Sequence, residues 1–283
     1  NALTGAAATS GNSNIAIGSD TAVALTTGAC NIALGTDAMS NTTIGLKNIA
    51  IGQLAMSGVT TLQADNNIAI GQSALVGTSA TSGDHNVAIG TTSMDALTTG
   101  THNIALGQSA LGVATTGGSN IALGSSAMGQ GLLTGHYNIA LSETALGQAT
   151  CGACNIALGC NALALSTSGC FNVAIGISAL GGAITTGKCN VAIGTTAMDA
   201  LTSGVENVGI GINALGAATT GGYNVAIGSS AMSSGVTTGN HNFAIGQSAL
   251  RLVTCGACNV AIGINALGVS TTGSQNIAIG DTA

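Results

Sequence analysis

Apolar and polar positions follow one short pattern that returns sixteen times. The pentad Asn-Ile-Ala-Ile-Gly, or a close variant, begins at Asn14, Asn31, Asn48, Asn67, Asn86, Asn103, Asn120, Asn138, Asn155, Asn172, Asn190, Asn207, Asn224, Asn242, Asn259 and Asn276. The spacing is mostly 17 or 18 residues, with two gaps of 19. The unit starting at Asn103 reads NIALGQSALGVATTGGS, so each unit carries two apolar bars: an alternating triplet and an Ala-Leu or Ala-Met pair. Alternation over so short a run, closed by Gly, predicts a strand, and the Ala-Leu pair is expected to be a second one. Gly stands three residues before the pentad Asn in all units but one, where Ala64 replaces it. That regularity predicts a positive φ or a tight corner.

A unit of 17 residues is too short for a βαβ crossover, and Gly, Thr and Asn in every unit disfavour helix. The expected fold is therefore all-β, a β-solenoid or β-roll of about sixteen coils of 17 to 18 residues. Its strands would be parallel and in register, about 4.8 Å apart. The whole of 1–283 reads as one continuous repeat domain cut within a repeat at both ends. Asn1, Ala2 and Leu3 match Asn213, Ala214 and Leu215, and Ala283 matches Ala214. A longer period of 104 residues, six coils, relates 86–179 to 190–283: TTSMDALTTG at Thr91 returns as TTAMDALTSG at Thr195.

Three rows follow from stacking such coils. The expected core is the large aliphatic row, represented by Ile15, Ile17, Ile104, Leu106, Leu111, Val173, Ile175, Leu180, Val225 and Ile227. The pentad Asn residues, among them Asn14, Asn31, Asn103, Asn120, Asn155, Asn172, Asn224 and Asn276, are expected to form a side-chain amide ladder, since a polar residue beside an apolar row needs repeated partners. The residue between the two large apolar positions is Ala in fifteen units and Gly209 in the other. Such strictness implies a close neighbour, so Ala16, Ala105, Ala122, Ala140, Ala174 and Ala226 are expected to face another subunit. The opposite orientation, Ala inward and Ile outward, leaves an equally long apolar stripe that needs covering.

Composition narrows the function classes. The chain has 46% hydrophobic and 4% charged residues, two Tyr, two Phe and no Trp or Pro. Lys47, Lys188 and Arg251 are its only basic residues against nine acidic ones, which argues against binding nucleic acid or an anionic membrane. No apolar run approaches the roughly 18 residues of a membrane span, so no membrane insertion is expected.

The candidate chemistry is sparse. Cys151 and Cys154 form a CGAC turn that returns at Cys255 and Cys258, 104 residues later, so duplication accounts for the second pair. Disulfides between neighbouring coils, Cys154 with Cys170 or Cys170 with Cys189, fit the usual Cα range. His85 and His102 share a corner of adjacent coils, but no third ligand completes a shell. No Ser, His and Asp set recurs, and the Gly-rich turns lack the Lys and the helix of a phosphate loop. No catalytic residue, metal or cofactor is expected.

The unit NIAIGxxALxxxTTGxxN resembles the NTAIGxxAL repeats of bacteriophage tail fibres and bacterial surface fibres. It is more distantly similar to the repeats in the heads of trimeric autotransporter adhesins. The resemblance rests on Asn14, Ala16, Ile17 and Gly18 and their equivalents and covers essentially the whole chain. It implies a homotrimer, extracellular, on a virion fibre or a bacterial cell surface. Its role would be structural, as a shaft or adhesive head used for attachment. A host-surface glycan or receptor would engage a tip outside this segment or irregular corners such as Lys47, His85, His102, Tyr137, Phe171, Tyr223 and Arg251. Two alternatives are an ice-binding solenoid, because Thr ladders can order water, and a self-stacking extracellular matrix filament. Adjacent Thr residues such as Thr98 and Thr99 point to opposite sides of a strand, which leaves one ladder per face.

Overall fold

The computed structural model of the chain describes residues 3, 10–58, 64–77, 83–235 and 237–283; Asn1 and Ala2, named above, lie outside them. It is an all-β solenoid of repeated coils, each contributing one three-residue strand. The chain divides into two compact units, Asn1–Glu143 and Thr144–Ala283. The first carries eight strands, β1 (Ile15–Ile17) to β8 (Ile139–Leu141), and the second eight more, β9 (Ile156–Leu158) to β16 (Ile277–Ile279). Within each unit every strand pairs in parallel with the next, in strict register: Ile104 faces Ile121, and Val173 faces Val191.

The strand side chains reverse the expected orientation. Ala33, Ala105, Ala122, Ala140, Ala174 and Ala226 are fully buried inside the coil, while the flanking Ile, Val and Leu point outward. Ile15 and Ile17 are 50% and 64% exposed, Ile104 and Ile227 are also exposed, and Leu106, Val173, Ile175 and Val225 are half-buried. The Ala row therefore cannot be a subunit interface, and these eight aliphatic residues are not core. Ala16 in the first strand and Ala278 in the last are half-buried. The physical reason is volume. A coil this short encloses a narrow space, and the opposite wall already fills it with Leu111, Leu180, Met128, Met198 and their equivalents, all buried from Met39 to Leu250. Leu111 and Leu180 are core as expected.

The Ala-Leu pair is not a second strand. Both members are buried, as at Ala38 and Met39 or Ala179 and Leu180, whereas adjacent strand residues must face opposite sides. The backbone resolves this with left-handed residues. Leu111 has φ of 51°, Leu180 of 51° and Met198 of 53°, and the polar residue two positions earlier is also left-handed, as at Ser109 and Ser178, both 53°. Hydrogen bonds still link the coils here: the Leu111 N–H donates to the Ala127 carbonyl at 3.0 Å and the Ser109 N–H to the Thr91 carbonyl at 3.0 Å. Successive donors thus serve the following and the preceding coil.

The residue before each pentad Asn is left-handed too, with φ between 56° and 61° from Ser13 to Gln275. Each left-handed non-glycine residue costs about 1 to 2 kcal/mol. Such a backbone persists only where its surroundings over-determine it. The determinant is the Asn ladder. The Asn31 amide oxygen accepts from the backbone N–H of Asn48 at 2.9 Å and from its side-chain amide at 3.2 Å. The Asn31 side-chain amide in turn donates to Asn14 Oδ1 at 3.1 Å and to the Gly45 carbonyl at 2.7 Å. The same set recurs at Asn103, Asn120 and Asn224. Asn155 donates to the Gly169 carbonyl and accepts from Asn172, and Asn276 donates to Asn259.

This ladder also explains the Gly three residues before every pentad Asn but Asn67, a Gly that needs no positive φ. A Cβ on Gly100 would lie 2.4 Å from the Gly117 carbonyl oxygen and 3.0 Å from the Asn103 amide nitrogen. Close approach of the next coil excludes the side chain. The pentad Gly does require its residue type by conformation: Gly107 has φ of 137°, and a Cβ there would meet the Gly124 carbonyl oxygen at 2.5 Å. Ser142 fills this position once, with φ of 115°. Coil length varies between the buried Leu or Met and the Thr pair, and two of the 18-residue coils expose an extra apolar residue there, Leu132 and Ile184.

Candidate functional site

With the interior given over to Ala, Leu and Met, everything available to a partner lies on the outer rows. The largest is the outward face of the strands, two rows of Ile, Val and Leu in each unit. In most strands the outer residues are half-buried around a buried centre. β-branched residues suit a pleated surface, and the in-register pairing stacks like on like.

The corner row is the second candidate. Its left-handed backbone points every side chain the same way, so rings on neighbouring coils stack. His85 and His102 have ring centroids 5.0 Å apart and planes 1° from parallel; Tyr223 and His241 are 5.0 Å apart at 6°. Tyr137 and Phe171 are exposed at the same position, as is Lys47. Face-to-face stacking leaves the ring edges, with the phenol oxygen and imidazole nitrogens, as the outward groups. His136, one residue earlier in its coil, accepts the Gly118 N–H on Nδ1 at 2.9 Å, and Asn240 does the same for Gly222 at 2.7 Å. Across the 104-residue duplication the corner differs at His102 and Glu206, Ser119 and Tyr223, and Tyr137 and His241, while the pentad Asn positions all match and the Ala positions of the pentad and of the Ala-Leu pair differ only at Ala105 and Gly209 and at Ser93 and Ala197.

All eight cysteines are free thiols. Cys154 and Cys189 both occupy the corner position, with Phe171 in the coil between them, and Cys170 lies one residue earlier in its coil. The Cys189 N–H donates to the Cys170 carbonyl at 3.1 Å. The disulfides that the coil spacing allows among Cys154, Cys170 and Cys189 are thus not formed, because the three thiols are offset around the corner and do not share one row.

Two carboxyls stand out, and both belong to the duplicated MDALT segments. Desolvation by burial raises Asp95 above the ordinary carboxylate range, partly offset by its own backbone N–H. Desolvation likewise raises Asp199, partly offset by the Gly182 N–H. Asp199 Oδ1 is buried without a hydrogen-bond partner, and a Cβ on Gly182 would touch that carboxylate. Sequence reasoning missed this pair because nothing in the residue types distinguishes them from other sporadic acids.

Among the described residues, no group of three or more His, Cys, Asp and Glu side chains could hold a metal ion, and no helix is long and apolar enough to cross a membrane. A cavity of about 550 Å³ lies in the second unit against Arg251, Asn265, Leu267 and Val269. Arg251 is its only charged group, so it does not converge acid and base groups as a catalytic site does. No protein-family model and no curated protein matches the chain.

Proposed function

We propose that this segment is a structural, non-catalytic part of an extracellular fibre, a shaft or adhesive head for attachment on a virion or bacterial surface. In this reading it assembles as a parallel homotrimer. The observation that carries the proposal is the pair of outward aliphatic rows on the strands. A monomer rarely exposes a contiguous apolar patch beyond a few hundred Å². Side-by-side assembly of copies covers such a stripe along its whole length, with the same repeat on both sides. The strand face therefore takes the interface role that the Ala row cannot.

The resemblance to fibre repeats supports the same reading and supplies the trimer. An ice-binding role is less well supported. In several coils the first Thr uses its hydroxyl on the next coil, as Thr98 does on the Thr115 carbonyl at 2.8 Å and Thr202 on the Thr219 carbonyl at 3.0 Å. Only the second Thr, such as Thr99, Thr116 or Thr220, is left exposed as a single row.

Mass photometry at micromolar concentration tests the proposal. The expected result is a trimer that dissociates when Ile104 and Ile121 become Asp. A well-behaved monomer of the unmodified chain would overturn it. Binding to a glycan array or host cells would make the segment an adhesive head, and its absence a shaft.

A further inference from the structure

The corner row brings two imidazoles together in the first unit. His85 and His102 hold the same position in successive coils, both exposed, with ring centroids 5.0 Å apart and planes 1° from parallel. Their backbones are fixed. Both residues are left-handed, at φ of 59°. The His85 N–H donates to the Asp65 carbonyl at 3.0 Å and the His102 N–H to the Asp84 carbonyl at 3.1 Å. Among the described residues neither ring makes a hydrogen bond, so the fold does not use their nitrogens. His136 differs, since its Nδ1 holds the Gly118 N–H.

We propose that His85 and His102 together chelate a first-row divalent cation of the borderline class, Ni²⁺, Cu²⁺ or Zn²⁺, with water filling the remaining positions. Imidazole is a preferred ligand for these ions. Two protein ligands make an open surface site, unlike the closed shell of a structural metal. Metal–nitrogen bonds of about 2.0 to 2.1 Å hold two ligand nitrogens no more than about 4.2 Å apart. From the stacked position the rings must therefore lean together by about 1 Å. Exposed side chains rotate this far in nanoseconds or less, and the backbone stays in place. Binding then orders two side chains and nothing else, which keeps its entropic cost low.

The surroundings favour a cation. Asp84 precedes His85, and Asp65 occupies the same row one coil earlier, whereas Lys47 stands two coils from His85 in the corner row. Asp65 accepts the Leu46 N–H and Asp84 the Asp65 N–H, both at 2.8 Å, so the two carboxylates are anchored beside the pair and add negative potential there. The second unit supplies an internal control. Tyr223 and His241 stack at the same 5.0 Å, with one imidazole in place of two.

Titration of the chain with Ni²⁺, followed by calorimetry and by paramagnetic broadening of the imidazole proton resonances, tests the proposal. His85 and His102 should broaden together, ahead of His136 and His241. His85→Asn and His102→Ser should each weaken the site about tenfold or more, with the double variant little worse than either. Asn66 and Ser119 already stand in this row with the same left-handed backbone, so both replacements suit the fold. His241→Asn should leave the affinity unchanged. Small single losses that simply add in the double variant would mean independent imidazoles and overturn the proposal. Equal broadening of all four histidines, or no binding up to millimolar Ni²⁺, would also overturn it. The site is complete within one chain, so these outcomes are separate from the oligomeric state.

Discussion

The row after the pentad Gly runs through Gln53, Gln72 and Gln108 in the first unit and through Ile177, Ile212 and Ile264 in the second, over an Ala row that both keep buried. The first unit carries six acidic residues, one basic residue and one cysteine; the second carries three, two and seven. Inside, the Asn ladder has the same bonds at Asn120 as at Asn207. The contrast separates two kinds of constraint. A residue whose side chain meets the next coil's backbone is fixed by the repeat, whereas one that points outward records what that particular stretch must do.

If that separation is right, interior substitutions should act alike in both units. Leu111→Ala and Leu180→Ala remove equivalent buried side chains and should each cost about 2 to 5 kcal/mol. Amide hydrogen exchange should show matching loss of protection around each site. A large difference between them would break the equivalence.

Asn103→Ala and Asn207→Ala should each cost about 1 to 3 kcal/mol, because removing the side chain leaves the Gly117 or Gly221 carbonyl and neighbouring amides unpaired. Here too exchange around the altered coil is the readout, since neighbouring coils can hide a local loss from a global melt.

Ser142 sharpens the comparison from the other side, as an exposed serine in the first unit where the repeat otherwise has glycine. Its φ of 115° lies where glycine is strongly preferred. Ser142→Gly should therefore stabilise the coil by about 1 kcal/mol, seen as slower exchange of the residue 142 amide, which donates to the Leu123 carbonyl, and of its neighbours. No gain would mean that local contacts already relieve the strain.

The smallest expected effect concerns the duplicated carboxyls. Burial raises the folded-state pKa of both Asp95 and Asp199, so the stability each contributes is present below the unfolded carboxylate pKa and is lost as pH rises through the raised folded value. Asp199→Asn should then stabilise at neutral pH by less than about 1 kcal/mol, since the group is only half-buried. The gain should disappear in acid, below the ordinary Asp range near about 3.9. Asp95→Asn should gain less, because the unpartnered oxygen belongs to Asp199. Denaturant melts at two pH values would test both.

The repeat length, the strand and the Asn partners were legible in the sequence because each is a strict periodic signal. Orientation was not, since an alternating triplet reads the same with either parity inward, and greater hydrophobicity favoured Ile over Ala. The usable signal was tolerance: the row that admits only Ala and once Gly209 is the one with no room, while the row that admits Ile, Val and Phe243 faces out. The left-handed Leu and Met had no signature in residue type. Their adjacency to Ala did carry one, because two neighbouring apolar residues cannot both face inward from a strand. Side-chain burial at Asp199 depends on the bare Gly182 of the adjoining coil and could not be read along the chain at all.

The Asn ladder has a mechanical consequence. Each buried Asn holds the coil on either side of it, so the bonds that join coils are loaded one rung at a time when a unit is pulled from its end. Release of one 17-residue coil pays out a tether of about 60 Å, at 3.3 to 3.6 Å per residue. It also leaves the next Asn as the new terminus, with the same bonds to its inner neighbour. Such a unit should yield to force in equal steps at nearly equal loads, extending many times its folded rise per coil and winding back from any coil that remains.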